Sequence, residues 1–310
     1  MKNELKKISK IALIVTSLLI VGIIAACGGS GSGADSSEIL IDGSSTVFPI
    51  SQAVAEEFRV DRPEVQIPVG ISGTGGGFKR FVEGDIDIAD ASRPIEESER
   101  AQAEANGVGF TEFVIAYDGL SIVINKANDF ATCLTVDELK KIWEPGSSVD
   151  NWNDVRSEFP DKPLRLYGPD TDSGTFDYFT DAINGKEDAS RADYTASSDD
   201  NVLVQGVSGD QGAMGYFGFA YYTENSEILN VISVDGGDGC VGPSVSAIKG
   251  GSYSPLSRPM FIYVNNDSLQ RPEVRDFIEY YLNNAAELAE EVGYVGLSKA
   301  DYQSQLEGLN

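Results

Sequence analysis

Short apolar runs alternate with amphipathic segments along most of this chain, and the alternation predicts an α/β fold. Strands are expected at residues 38–42, 65–71, 86–89, 164–167, 228–234 and 260–264. Helical spacing places Ile50, Val54 and Phe58 on one face of a helix at 49–58, whose Pro49 suits a first turn. Further helices are expected at 78–82, 96–106, 176–183, 201–207 and 274–282, with Gly107 stopping the second of these. Thr135-Val136-Asp137-Glu138 is a capping box that opens a helix to Trp143, and Ser298-Lys299-Ala300-Asp301 would cap a last one. Residues 110–116 and 120–125 read as two apolar runs split by Tyr117-Asp118-Gly119. Residues 212–222, rich in glycine and aromatics, fit no single direction, and Asp235-Gly236-Gly237-Asp238-Gly239 is a turn.

The first 26 residues stand outside this pattern. Lys2, Lys6, Lys7 and Lys10 precede an apolar run at 11–26. That run is shorter than the ~20 residues a spanning helix needs, so it reads as a signal peptide. It ends Ile24-Ala25-Ala26-Cys27, which resembles a bacterial lipobox with Cys27 as the lipidated residue. Residues 27–37 have tether composition, almost all Gly, Ser and Ala. The remainder is long enough for two domains.

The net charge is −26, and losing the leader's four lysines and one glutamate takes it to −29. Such acidity argues against nucleic-acid binding and against polybasic membrane attachment, so any membrane contact is expected through the lipid anchor only. With Cys27 assigned to lipid, Cys133 and Cys240 remain. Export favours a disulfide between them over two buried thiols. There is no histidine, which removes Ser-His-Asp and Cys-His catalysis and the usual zinc sites. No catalytic residue, metal or cofactor is expected. Asp170-Thr171-Asp172-Ser173-Gly174 has the look of a calcium loop, but Thr175 stands where that loop needs glycine.

Three small-residue clusters each end a strand-like run and open a helix-like one: Gly43-Ser44-Ser45-Thr46-Val47, Ser72-Gly73-Thr74-Gly75-Gly76-Gly77 and Asp172-Ser173-Gly174-Thr175. A helix start leaves N–H groups without partners and carries partial positive charge, so three converging starts suit a small oxyanion. Neither a Walker A loop nor a dinucleotide fingerprint fits the second cluster. Arg93, in Ala91-Ser92-Arg93-Pro94, is either a surface arginine paired with Glu96 or Glu97 or a guanidinium that grips the anion. Asp172 is either an N-cap or a carboxylate beside the ligand.

Together these residues resemble the PstS-type phosphate-binding lipoproteins of bacterial ABC importers. The matching stretches are Asp42-Gly43-Ser44-Ser45-Thr46-Val47-Phe48-Pro49, Gly70-Ile71-Ser72-Gly73-Thr74-Gly75-Gly76-Gly77, Ala89-Asp90-Ala91-Ser92-Arg93-Pro94-Ile95 and Asp172-Ser173-Gly174-Thr175-Phe176. Lys141-Ile142-Trp143, Asn151-Trp152-Asn153 and Gly212-Ala213-Met214-Gly215-Tyr216 also fit, in family order. The resemblance implies a two-lobed class II periplasmic-binding-protein fold with a ligand cleft between the lobes. Lobe 1 would be 38–117 with 258–310, and lobe 2 would be 118–257, the chain crossing near 117–120 and 257–260. Both cysteines then fall in lobe 2, which supports their pairing. By matched position the ligand set is Ser45, Thr46, the N–H of Val47, Thr74 with Gly75 adjacent, Ser173, Gly174 and Thr175, and Ser92, Arg93 and Asp172 are added to it. Two positions depart. Family members carry an aspartate, the acceptor of the phosphate proton, where this chain has Ser92, and an arginine where it has Pro169. Arg93 and Asp172 are expected to supply the missing charge and acceptor.

The function expected is that of an exported, lipid-anchored monomer, at the outer face of the membrane or in the periplasm. It would capture inorganic phosphate and deliver it to the transmembrane subunits of an ABC permease, binding and releasing without chemistry. The alternatives are another oxyanion (sulfate, molybdate or a phosphonate) and a histidine-free phosphomonoesterase.

Overall fold

The computed structural model describes residues 37–171 and 173–309. The expected leader, Cys27, most of the tether and Asp172 lie outside the described residues. The elements, in chain order, are β1 (Ile41–Gly43), α1 (Phe48–Asp61), β2 (Val69–Ile71), α2 (Thr74–Phe81), β3 (Ile88–Ala91), α3 (Glu97–Asn106) and β4 (Phe110–Asn125). Next come β5 (Cys133–Thr135), α4 (Val136–Trp143), α5 (Trp152–Val155), β6 (Arg165–Pro169) and α6 (Gly174–Phe179), which runs into a π-helical turn, Thr180–Asn184. Then follow β7 (Thr195–Ser197), α7 (Asp200–Gly209), β8 (Ala213–Gly218), α8 (Phe219–Glu224), β9 (Leu229–Asp235), β10 (Cys240–Val241) and α9 (Val245–Lys249). The chain closes with β11 (Ser257–Asn265), α10 (Pro272–Glu291) and α11 (Lys299–Glu307).

Local signals set many of these ends. Thr135 and Ser298 form reciprocal capping boxes with Glu138 and Asp301. Gly107 ends α3 in the left-handed conformation that a side chain would disfavour. Two expectations are corrected. The strand expected over 65–71 is continuous only from Val69; before it Gln66 makes an isolated parallel bridge to Glu38, and Pro68 between them has no N–H to donate. Residues 110–125 form one strand, not two runs. Tyr117, Asp118 and Gly119 stay extended because β11 pairs with all three along one edge, and Tyr117 exchanges backbone hydrogen bonds with Val295 along the other.

The sheet runs β2-β1-β3-β11-β4-β8-β6-β7, with β9 also pairing β4, β5 and β10. In the first lobe β1, β2 and β3 are parallel and β11 is antiparallel to its neighbours. The strand β4 serves both lobes: its first part pairs with β11, and from Leu120 it pairs with β8 and β9. Side chains alternate between two cores in each lobe, as strand geometry dictates. Along β11, Met260, Ile262 and Val264 meet α1 and α10, while Phe261 and Tyr263 meet Phe78 and Phe81 of α2. Along β4, Leu120, Ile122 and Ile124 join the core that buries Trp143 and Trp152, while Val123 faces α7. Cys133 and Cys240 form a disulfide, Cα–Cα 6.0 Å, between the two short strands that pair with β9. Among the described residues no helix is long and apolar enough to cross a membrane.

Candidate functional site

The parallel strands β1, β2 and β3 all point their carboxyl ends the same way, and the loops that leave them meet at one cleft. This is where ligands gather in open α/β sheets, because the following helix starts converge there. The cleft measures about 730 Å³ and takes Ser45 and Thr46 from the first loop, Thr74 and Gly75 from the second, and Ser92 and Arg93 from the third. Thr74 and Ser92 are tied together, Oγ1 to Oγ at 3.1 Å, with the Ser92 N–H donating to Thr74 Oγ1 at 3.2 Å. The N–H groups of Ser45, Thr46 and Val47, ahead of α1, have no acceptor among the described residues.

Close packing of loops depends on two glycines. A Cβ on Gly77 would lie 2.7 Å from Gly43 Cα, so the triple-glycine start of α2 can rest on the turn after β1. A Cβ on Gly174 would lie 2.8 Å from Thr46 Oγ1 and 2.9 Å from its nitrogen. The third cluster therefore sits directly on the first, and Thr46 donates to the Gly174 carbonyl at 3.3 Å.

Four members of the expected ligand set, Val47, Ser173, Gly174 and Thr175, do not line the cleft. Val47, expected only through its backbone N–H, buries its side chain in the core beneath α1 and keeps that N–H without an acceptor among the described residues. Ser173 uses its Oγ to cap the Thr175 N–H, and Gly174 is pressed on Thr46. Arg93 lines the cleft with Nη2 beside Gly75, but its fork is held by a carboxylate: Nη1 and Nη2 donate to the two Glu99 oxygens at 2.9 and 2.8 Å, and the guanidinium stacks on Phe78. Glu99, not Glu97, is its main partner, with Glu96 further off at 3.6 Å.

Sequence reasoning missed Arg258, Tyr178 and a wall of carboxylates. Arg258 enters from β11, packs 3.6 Å above the Tyr178 ring and donates from Nη2 to Thr46 Oγ1 at 2.8 Å. Behind it lies buried Asp118. A signal was present: Ser92-Arg93-Pro94 and Ser257-Arg258-Pro259 repeat one tripeptide in a chain poor in cations. Facing the loops are Asp177, Asp181 and Glu187. Asp177 lies one turn beyond Ser173 and accepts from Ser45 Oγ at 2.9 Å. Burial holds the Asp177 carboxyl above the ordinary range; the Ser45 bond and Arg258 oppose this, and Asp188 adds to it. Glu187 is raised likewise, by burial and then by Asp177, Asp188 and Asp181. Among the described residues no group of three or more histidines, cysteines or carboxylates is arranged to hold a metal.

Donors thus line one side of the cleft and carboxylate acceptors the other. Such a site suits an oxyanion that still carries a proton, since a bare anion would meet the carboxylates with like charge.

The match to known proteins runs over nearly the whole chain. A family model described as a PBP superfamily domain matches residues 28–285. The protein SphX of Synechocystis sp. is 48% identical, over 96% of this chain and 88% of its own length. The phosphate-binding protein PstS of Staphylococcus saprophyticus is 39% identical, over 93% of this chain and 90% of its own. A crystal structure of a possible phosphate binding protein from Planctomyces limnophilus is 52% identical, with a TM-score of 0.86, over 88% of this chain and 98% of that one.

Proposed function

This chain belongs to the PBP superfamily, with the PstS-type phosphate-binding proteins, and from that membership we propose that it captures inorganic phosphate outside the cytoplasm and delivers it to the transmembrane subunits of an ABC permease. The family is one of substrate-binding proteins, and this member binds and releases its ligand without chemistry. One observation carries the reading: three strand-end loops of hydroxyl and glycine residues meet arginine and carboxylate side chains in a single cleft.

The lobes are read as 38–117 with 258–310, and 118–257, closing on the anion as ligand contacts select the closed state. The exported chain acts as a monomer held to the membrane by lipid on Cys27. Calorimetry on the full chain, purified in mild detergent, tests the ligand with phosphate, sulfate, molybdate and arsenate. Phosphate is expected to saturate the cleft with one ion per chain, while sulfate and molybdate bind far more weakly. Tighter binding of sulfate would overturn the assignment. A chromogenic phosphoester is expected to survive incubation with the protein, and turnover would move the reading to a phosphatase.

A further inference from the structure

We infer that Arg258, held by Asp118, is the guanidinium that grips the anion, and that Arg93 is not. This rests on the reading that an oxyanion binds in the cleft. Both arginines line that cleft, so the choice turns on which one still has donors to give.

The Arg93 fork is already used. Glu99 takes both terminal nitrogens in the bidentate geometry that a carboxylate and a guanidinium prefer, and Nη1 also donates to the Pro94 carbonyl at 3.1 Å. To turn its fork to an anion Arg93 would have to abandon that pair, and the Glu99 carboxylate already offsets its charge. Arg258 is in the opposite position. A single Asp118 oxygen lies 3.4 Å from both Nε and Nη2, at the outer limit of a hydrogen bond. Its one short contact is to Thr46 Oγ1, itself on the first anion loop. Nη1 makes no hydrogen bond among the described residues. The side chain is 18% exposed, against 35% for Arg93, so its charge is less screened by water.

Its mounting also suits the role. Arg258 and Asp118 are register partners on β11 and β4, the two strands that lie side by side where the lobes join. Groups carried by strands in mid-sheet are held more tightly than groups on loops. Tyr178, from the second lobe, covers the guanidinium face and leaves the edge toward Thr46. Asp118 is 2% exposed, and a carboxylate so buried needs its cation. It is a positioning residue: it orients Arg258 and does not itself line the cleft.

Phosphate calorimetry on the full chain, with a thermal melt of each variant, tests this. Arg258→Gln is expected to weaken phosphate at least a hundredfold, while Arg93→Gln stays within a few-fold of wild type. Arg258→Lys keeps the charge but loses the fork, and is expected to weaken binding at least tenfold even if the glutamine variant does not fold. Asp118→Asn should weaken binding about tenfold alone and add little in the Arg258→Lys background, a non-additivity that a merely structural residue would not give. Wild-type affinity in Arg258→Lys, or a hundredfold loss in Arg93→Gln alone, overturns the inference. A wild-type chain that binds none of the four oxyanions overturns the functional reading as well.

Discussion

Ser45 Oγ donates to Asp177 Oδ2 at 2.9 Å, joining residues 132 positions apart and linking the first anion loop to the helix that the Asp172–Thr175 cluster opens. The bond places a carboxylate acceptor beside hydroxyl and amide donors. Phosphate keeps at least one proton at neutral pH and can donate it to Asp177, whereas sulfate has none. Asp177→Asn should therefore lose phosphate affinity by roughly ten- to a hundredfold, the worth of about 1.5–3 kcal/mol for a hydrogen bond to a charged group. The gap to sulfate should narrow in parallel. Titrating both ions into the variant checks this, and unchanged selectivity would pass the role to Asp181 or Glu187.

Gly174 should tolerate no side chain in the closed arrangement. A Cβ there would sit 2.8 Å from Thr46 Oγ1 and 2.9 Å from the Thr46 nitrogen, a backbone atom that cannot swing away. Gly174→Ala is expected to hold the two loops apart, weakening phosphate at least tenfold. The ligand-free melting temperature should stay within a few degrees of wild type, because opening relieves the clash. Equal affinity for phosphate would show that the loops need not touch.

Asp90 gives a pH signature. It is fully buried under the first loop, with Oδ1 accepting from Ser51 Oγ at 2.9 Å and Oδ2 without a partner among the described residues. Tyr281 reaches the same serine, and Asp42 is the nearby charge. Burial first, and Asp42 after it, push the Asp90 carboxyl up to about 8, with the Ser51 bond opposing. The folded chain then holds a proton that the unfolded chain has lost above about pH 4. Stability from this group is thus full at low pH and declines as pH rises toward about 8, by at most ~1.4 kcal/mol per unit. Asp90→Asn should flatten that decline. Denaturant midpoints of both proteins between pH 5 and 8 measure it, and parallel curves would rule out Asp90 as the titrating group.

Reducing the Cys133–Cys240 bond opens a loop closed over a separation of 107 residues. Replacing both cysteines by serine should lower unfolding stability by about 2–4 kcal/mol. Phosphate affinity should hardly change, because neither cysteine lines the cleft. A large loss of affinity with little loss of stability would mean that the bond shapes the site.

Features governed by neighbours in the chain were legible in the sequence. The capping boxes at Thr135 and Ser298, the stop at Gly107 and the proline in the first turn of α1 depend on residues within one helical turn. The alternation of apolar runs indicated the α/β class, and the first two glycine and hydroxyl clusters marked loops that meet at the cleft. Tertiary structure decided what becomes of the charges. Arg93 could be given to Glu96, Glu97 or a ligand from sequence alone, and the curve of the chain after Pro94 gave it to Glu99. Asp118 looked like a break between two strands; pairing with β11 keeps it extended and sets it against Arg258. The group of Thr46, Asp118, Tyr178 and Arg258 spans more than two hundred residues, and no local pattern joins them. Backbone preferences act over a few residues and can be read in order along the chain. A side chain's charge is committed by whichever groups folding brings within a few ångströms, and that distance exists only once both lobes have formed.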